Sequence, residues 1–287
     1  MAMETFRKKY RILTIANRLA RAIALAIYGI AFLPLRLFGR SFHSMAMLNL
    51  HRLTLVKSPQ KGVVYVCDSP SYYFRSLFTY AKEVETVAWI ERMPTDSVLW
   101  DVGANVGAFT LYAARRGCTV IAFEPLAANI HALVRNVAEN GVQSKVKSLN
   151  VALHAANGIS TIVSQDSIAG TALSVVDTPG EKPNARKGVS HESTVLCMRA
   201  DEAIAAWGLP APDFIKLDVD GNELDILRGA TEVLSNPRLR GILVELEVGA
   251  QDSRDISDLI ESHGFMVTGR NSHGDFENVV FERGSEA

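Results

Sequence analysis

Between residues 79 and 283 short apolar runs alternate with segments whose apolar residues recur at helical spacing. Runs at 98–102, 119–123, 146–149, 214–217 and 241–246 have the length and bounding turns of buried strands. Helical spacing begins at Gly107 (Phe109, Leu111, Tyr112, Ala113), fills 126–139, follows Gly221 with Leu224, Leu227 and Leu234 on one face, and returns at 252–262. The final strands, 264–268 and 278–281, fit an antiparallel hairpin around the polar turn 270–275. The alternation predicts a three-layer α/β domain with its ligands at the carboxyl edge of the sheet. Before it, 52–56 and 62–67 fit a small hairpin within a linking segment, 41–78.

Chemistry concentrates at strand ends. The first strand ends in Asp101 and turns through Gly103, Asn105 and Gly107, a spacing of Asp-x-Gly-x-Asn-x-Gly. In the dinucleotide fingerprint Gly-x-Gly-x-x-Gly the second glycine lets the backbone approach a pyrophosphate, and Asn105 holds that place here. An acid at the strand end repels phosphate but suits the ammonium and sulfonium of S-adenosylmethionine. The next strand ends in Glu124, whose two oxygens can accept from both hydroxyls of a ribose; the alternative is an acid that only offsets a helix dipole. At the third strand end, Asn150 and the backbone near Ala152 can read an adenine edge. A second acidic cluster follows 214–217, with Asp218, Asp220 and, in the first turn of a helix, Glu223; Glu245 and Glu247 reach the same edge if the sheet is parallel.

The pairing of Val102-Gly-Ala-Asn-Val-Gly107 with Ile215-Lys-Leu-Asp-Val-Asp-Gly-Asn-Glu-Leu224, then Leu227-Arg-Gly-Ala230 and Val244-Glu-Leu-Glu247, resembles the FkbM family of S-adenosylmethionine-dependent methyltransferases across roughly 79–283. The resemblance implies the Rossmann-like class I methyltransferase sheet and O-methylation of a sugar or natural-product hydroxyl. It carries the cofactor positions onto Asp101, Gly103, Asn105, Gly107 and Glu124, and the acidic motif onto Asp218, Asp220 and Glu223. Two positions depart from the family pattern: Asp220 stands for the usual Glu and Asn222 for the usual Ala.

An alkyl hydroxyl is a weak nucleophile at neutral pH, so the reaction needs a base or a metal in reach of the acceptor. Asp218 is the first candidate base, Glu245 the second and Asp220 the third; no spacing in the chain fixes a metal coordination shell. Tyr72, Tyr73 and Phe74 are placed as walls of the acceptor site. The stretch 164–193 loses its apolar period and is rich in turn formers at 178–188, which fits either a lid over the acceptor or a solvated insertion. His191 at its end is either a proton acceptor or simply exposed.

Charge separates the ends of the chain. Residues 1–40 carry eight Lys or Arg against Glu4, whereas the whole chain has a net charge of −1. An acidic body argues against nucleic acid as partner. Ile12, Ile15, Leu19, Ile23 and Ile30 recur at helical spacing with Arg7, Arg11 and Arg18 on another side. This mainly helical basic extension fits peripheral contact with an anionic membrane through residues 7–38 at its cytoplasmic face. Packing on the catalytic domain or a second subunit, a signal peptide and a spanning helix are the other readings. Cys67, Cys118 and Cys197 form no Cys-x-x-Cys pair, which predicts neither a disulfide framework nor structural zinc. The acceptor expected from all this is a small molecule or a lipid-linked sugar. A soluble natural product, a protein, or a non-catalytic scaffold of the same fold are the alternatives.

Overall fold

The computed structural model describes residues 56–57, 62–67, 70–171, 174–180 and 191–284, together with positions 19, 22 and 23. Leu19, Ala22 and Ile23 are helical and exposed; the rest of the basic extension lies outside the described residues. Among the described residues no helix is long and apolar enough to cross a membrane.

Residues 56–287 form one compact unit. It opens with a two-residue antiparallel ladder, β1 (Val56–Lys57) on β2 (Val64–Tyr65), so part of the expected small hairpin is present. Helices α1 (Pro70–Lys82) and α2 (Val84–Arg92) follow. Then come β3 (Val98–Val102), α3 (Ala108–Arg115), β4 (Thr119–Phe123), α4 (Ala127–Glu139) and β5 (Val146–Leu149). After an accessory segment and α5 (Ala200–Trp207) the alternation resumes with β10 (Phe214–Leu217), α6 (Glu223–Arg228), α7 (Thr231–Ser235), β11 (Gly241–Glu247) and α8 (Gln251–Ser262). It ends in β12 (Phe265–His273) and β13 (Phe276–Arg283). The seven-stranded sheet has the order β12-β13-β11-β10-β3-β4-β5. Strands β11, β10, β3, β4 and β5 run parallel, and β13 is antiparallel to both its neighbours. This is the Rossmann-like class I methyltransferase sheet, closed by the expected hairpin.

Successive side chains of a strand point to opposite faces, and the core divides accordingly. Trp100, Ile121, Ile215 and Val244 pack on one face with Ile226, Leu234 and Ile256. Leu99, Val120 and Leu243 pack on the other with Trp89, Ile90, Leu111 and Leu133. Fully burying such a side chain contributes roughly 1.5–3 kcal/mol. The second cluster also takes in Val63, Tyr65 and Tyr72, so residues ahead of Thr79 help build it.

Four expectations change. The helix expected after Gly221 is two helices, α6 and α7, broken at Gly229, where a Cβ would lie 2.2 Å from the His154 carbonyl oxygen. The final strands run much further than expected and turn only at Gly274, because paired backbone continues through polar residues such as Arg270 and Asn271. Residues 150–153 do not end the third strand: β6 (Ala152–Leu153) leaves the main sheet. It joins β7 (Gly158–Ser164), β8 (Val175–Val176) and β9 (His191–Met198) in a second sheet of order β6-β9-β7-β8. Part of the stretch 164–193 is therefore paired strand; residues 172–173 and 181–190 lie outside the described residues.

Candidate active site

At the carboxyl edge of β3 and β10 a cleft of about 540 Å³, its open mouth included, is enclosed by the ends of three main-sheet strands, β3, β4 and β10, and by the accessory sheet. Gly103, Asn105, Glu124, Ala152, Asp218 and Asp220 all line it. The chain reverses at Gly103 (φ 81°) so close to β10 that a Cβ there would lie 1.9 Å from the Asp218 carbonyl oxygen. Gly103 and Ala104 donate to the Phe123 carbonyl, which ties the turn to β4.

Glu124 organises the neck of the cleft. Its side chain accepts from the backbone amide of Asn105 at 2.7 Å, from that of Leu126 at 2.9 Å and from the Asn129 amide at 3.4 Å. Burial pushes its carboxyl up to about 7, with the two backbone donors opposing the shift. Asn105 sits in the left-handed region (φ 51°), and its side chain donates to the Thr171 carbonyl at 2.8 Å. Asn129 donates to the same oxygen and accepts from the Gly170 amide, so residues 170–171 are clasped against the cleft.

Three expected cofactor positions stand behind the wall. Asp101 is buried, accepts from the Thr110 hydroxyl and points toward the face that holds Lys216; burial raises its pKa. Gly107 precedes α3 and packs against Leu133 of α4. Asn150 donates to the carbonyls of Glu124 and Pro125, which braces that loop.

The acidic residues border two cavities. Asp218 lines the cleft, Glu245 lines a second, neighbouring cavity at the end of β11, and Asp220 (φ 61°) lines both. Burial, then the nearby Asp218, pushes Glu245 up to about 7. Glu223 borders the second cavity but serves the turn, accepting from the Val219 and Gly221 amides; burial raises its pKa.

The sequence reading missed Lys216, Asn129 and Ser174. Lys216 is 2% exposed and its ammonium lies 2.7 Å from Asp218 Oδ2 and 5.0 Å from the centre of the Phe109 ring. Burial alone would lower its pKa, but Asp218, Asp101 and Glu83 together hold it above the ordinary value. A lysine inside an apolar run was the available signal. Nothing in the sequence marked Asn129, which meets Glu124 and residues 170–171 only in the fold, or Ser174, which directly precedes β8.

Other expectations shift as well. Tyr72 is wholly buried, edge-on to Tyr65 and hydrogen-bonded to Asn136, so it belongs to the core and not to an acceptor wall. Tyr73 is exposed, and the Phe74 side chain lies outside the described residues. His191 is exposed at the start of β9. The three cysteines are buried. Among the described residues no group of three or more His, Cys, Asp or Glu is arranged to hold a metal ion.

A family model described as the methyltransferase FkbM domain matches residues 101–268, which contain the cleft and both acidic clusters. The chain belongs to the FkbM methyltransferase family. FkbM relatives include the hexuronic acid methyltransferase AglP of Haloferax volcanii, 28% identical over 171 residues, covering 60% of this chain and 64% of that protein. Another is the 31-O-demethyl-FK506 methyltransferase FkbM of Streptomyces tacrolimicus, 27% identical over 202 residues, covering 62% of this chain and 75% of that one. The chain thus spans less than two thirds of the Haloferax relative. Among solved structures, a putative methyltransferase yhhF from Escherichia coli aligns with 14% identity and a TM-score of 0.47, covering 81% of this chain and all of that one.

Proposed function

We propose that this FkbM methyltransferase uses S-adenosylmethionine to methylate a hydroxyl of a sugar or of a glycolipid or polysaccharide precursor. The observation that carries the cofactor is the charge of the cleft. Among the described residues that line it there is no lysine or arginine, while Glu124, Asp218 and Asp220 contribute carboxylates. Such a wall repels phosphates and favours a sulfonium and an ammonium. The rest of the lining fits a nucleoside. Val151, Leu153 and Ile226 offer apolar surface, Glu124 has carboxylate lone pairs for a ribose, and the buried hydroxyl of Ser174 has no hydrogen-bond partner among the described residues.

When bound, S-adenosylmethionine supplies an electrophilic methyl group, and an alcohol that takes it loses a proton. The chain's own part is to hold the acceptor hydroxyl at the carboxyl edge of β10 and β11, to exclude water and to accept that proton. Asp218, Glu245 and Asp220 are the proposed groups, with Gly103, Asn105, Glu124 and Ala152 against the cofactor and Asp101, Gly107 and Asn150 behind them. The acceptor class is supported by the hexuronic acid relative, and a natural-product hydroxyl by the FK506 relative. Membrane contact through residues 7–38 is proposed from sequence pattern alone.

Calorimetric titration with S-adenosylmethionine, S-adenosylhomocysteine and NAD tests the reading. Micromolar binding of the first two and none of the third is expected; binding of none of the three would leave a scaffold of the same fold.

A further inference from the structure

On the face of the sheet covered by α1, α2 and α3, the apolar layer gives way to a row of polar side chains near the carboxyl edge. Lys216 is in register with Asp101 across β10 and β3, and Glu245 with Asn278 across β11 and β13. The junction of α1 and α2 closes over this row: Lys82 and Glu83 act electrostatically on Glu245, and Glu83 also on Lys216. Glu85, next along, accepts from Asn278 at 3.0 Å and pairs with His273. Lys216 borders neither cavity. Its partner Asp218 lines the cleft, and Glu245 lines the second cavity.

A buried ammonium among carboxylates is costly to place and strongly destabilising to remove, so its position here calls for a role. Packing alone would be served by an apolar residue such as the leucines and valines around it. A fixed cation behind Asp218 does something they cannot. It ties one carboxylate down as an ion-pair partner, and a carboxylate so engaged is a weaker base than one that is desolvated and faces a like charge. Glu245 is nearer the second condition: it is partly buried, and burial and Asp218 raise its pKa against the weaker opposing pull of Lys82 and Lys216.

We infer that Lys216 is a positioning residue. Its ammonium anchors the Asp218 carboxylate at the cleft wall, where Asp218 orients the acceptor, so that Glu245 receives the acceptor's proton. The inference rests on the proposed methyl transfer. In the step itself the acceptor O–H bond breaks, its electron pair goes into the new oxygen–carbon bond, and the proton goes to a Glu245 oxygen and from there to water. The bond between sulfur and the methyl carbon breaks with its electrons to sulfur.

The test is a ¹³C carboxylate NMR titration of the full chain. The Glu245 signal is assigned by its loss in Glu245→Gln, and Lys216→Met and Lys216→Arg are titrated beside the native protein. Lys216→Met is expected to move the Glu245 midpoint up by about one pH unit, through loss of a nearby cation, and Lys216→Arg to restore it. An unmoved midpoint in a Lys216→Met variant that keeps its melting transition would overturn the inference. Asp218→Asn, which leaves Lys216 in place, covers the case in which the Met variant does not fold. It should move the midpoint down, and an unchanged or higher midpoint there also overturns the inference. Calorimetry of the native chain with S-adenosylmethionine separates this outcome from failure of the methyltransferase cofactor reading.

Discussion

The side chain of Asn222 treats Val176 as a neighbouring strand would, donating to its carbonyl at 3.0 Å and accepting from its amide at 2.9 Å. Both residues line the cleft, so this one amide fastens β8 of the accessory sheet to the loop that presents Asp218 and Asp220. The departure from alanine noted in the sequence thus has a structural purpose. Asn222 is 8% exposed, and losing a pair of buried bonds leaves the Val176 backbone unsatisfied, at about 1–3 kcal/mol. In Asn222→Ala the Val176 amide should exchange with deuterium at least tenfold faster, with weaker cofactor binding and α6 intact. Unchanged exchange at Val176 would show that β8 is held by β7 alone.

Gly103 admits no side chain. Its φ of 81° and the approach of the Asp218 carbonyl act together, so Gly103→Ala must separate β3 from β10 at the cleft. A loss of about 3 kcal/mol or more is expected, read as a lowered urea midpoint. Native stability in the variant would mean that the two strand ends are free to part.

Glu124→Ala removes the acceptor for the Asn105 and Leu126 amides as well as the expected ribose contact. Bonds to a charged group are worth roughly 1.5–3 kcal/mol each, so affinity for S-adenosylhomocysteine should fall at least about tenfold. The native chain should bind more tightly as pH rises. With the free carboxyl near 7, donor hydroxyls of the ligand favour its ionised form, and affinity should grow about tenfold from pH 6 to 8. A flat profile in calorimetry would remove Glu124 from ligand contact.

Glu245 has the opposite linkage from a salt-bridged acid. Its folded pKa is near 7 against an ordinary 4.5, so the fold binds its proton more tightly than the unfolded chain does. Its contribution is fully present below pH 4.5 and is lost as pH rises through 7. Glu245→Gln stays neutral throughout and should melt a few degrees above the native chain at pH 8, the two converging by pH 4.5. A variant that melts lower than the native chain at pH 8 would show that the charged form is stabilised in the fold.

Much of the catalytic core could be read along the chain because its signals are local. Runs such as 98–102 and 119–123 are apolar on both faces, which only a strand covered by two helical layers tolerates. Asp101, Gly103, Glu124 and Asp218 stand at ends of such runs, and a parallel sheet brings those ends to one edge. The resemblance to FkbM proteins followed from the same short motifs.

What only the tertiary structure decided depends on pairing between distant residues. Strand β9 exposes His191 through Thr194 and buries Val195 and Cys197, a pattern with no clear period until β7 lies beside it. Asp101 and Asp218 look equivalent as acids ending apolar runs, yet one lies behind the cleft and the other on its wall. Side-chain direction alternates along a strand, and the relative length of neighbouring strands decides which residue reaches the edge. Lys216 read as one polar interruption in an apolar run. Three sheet strands and the α1–α2 junction had to converge before it became the buried cation that Asp101, Asp218, Glu83 and Glu245 share, since electrostatic coupling follows distance in space and not separation along the chain.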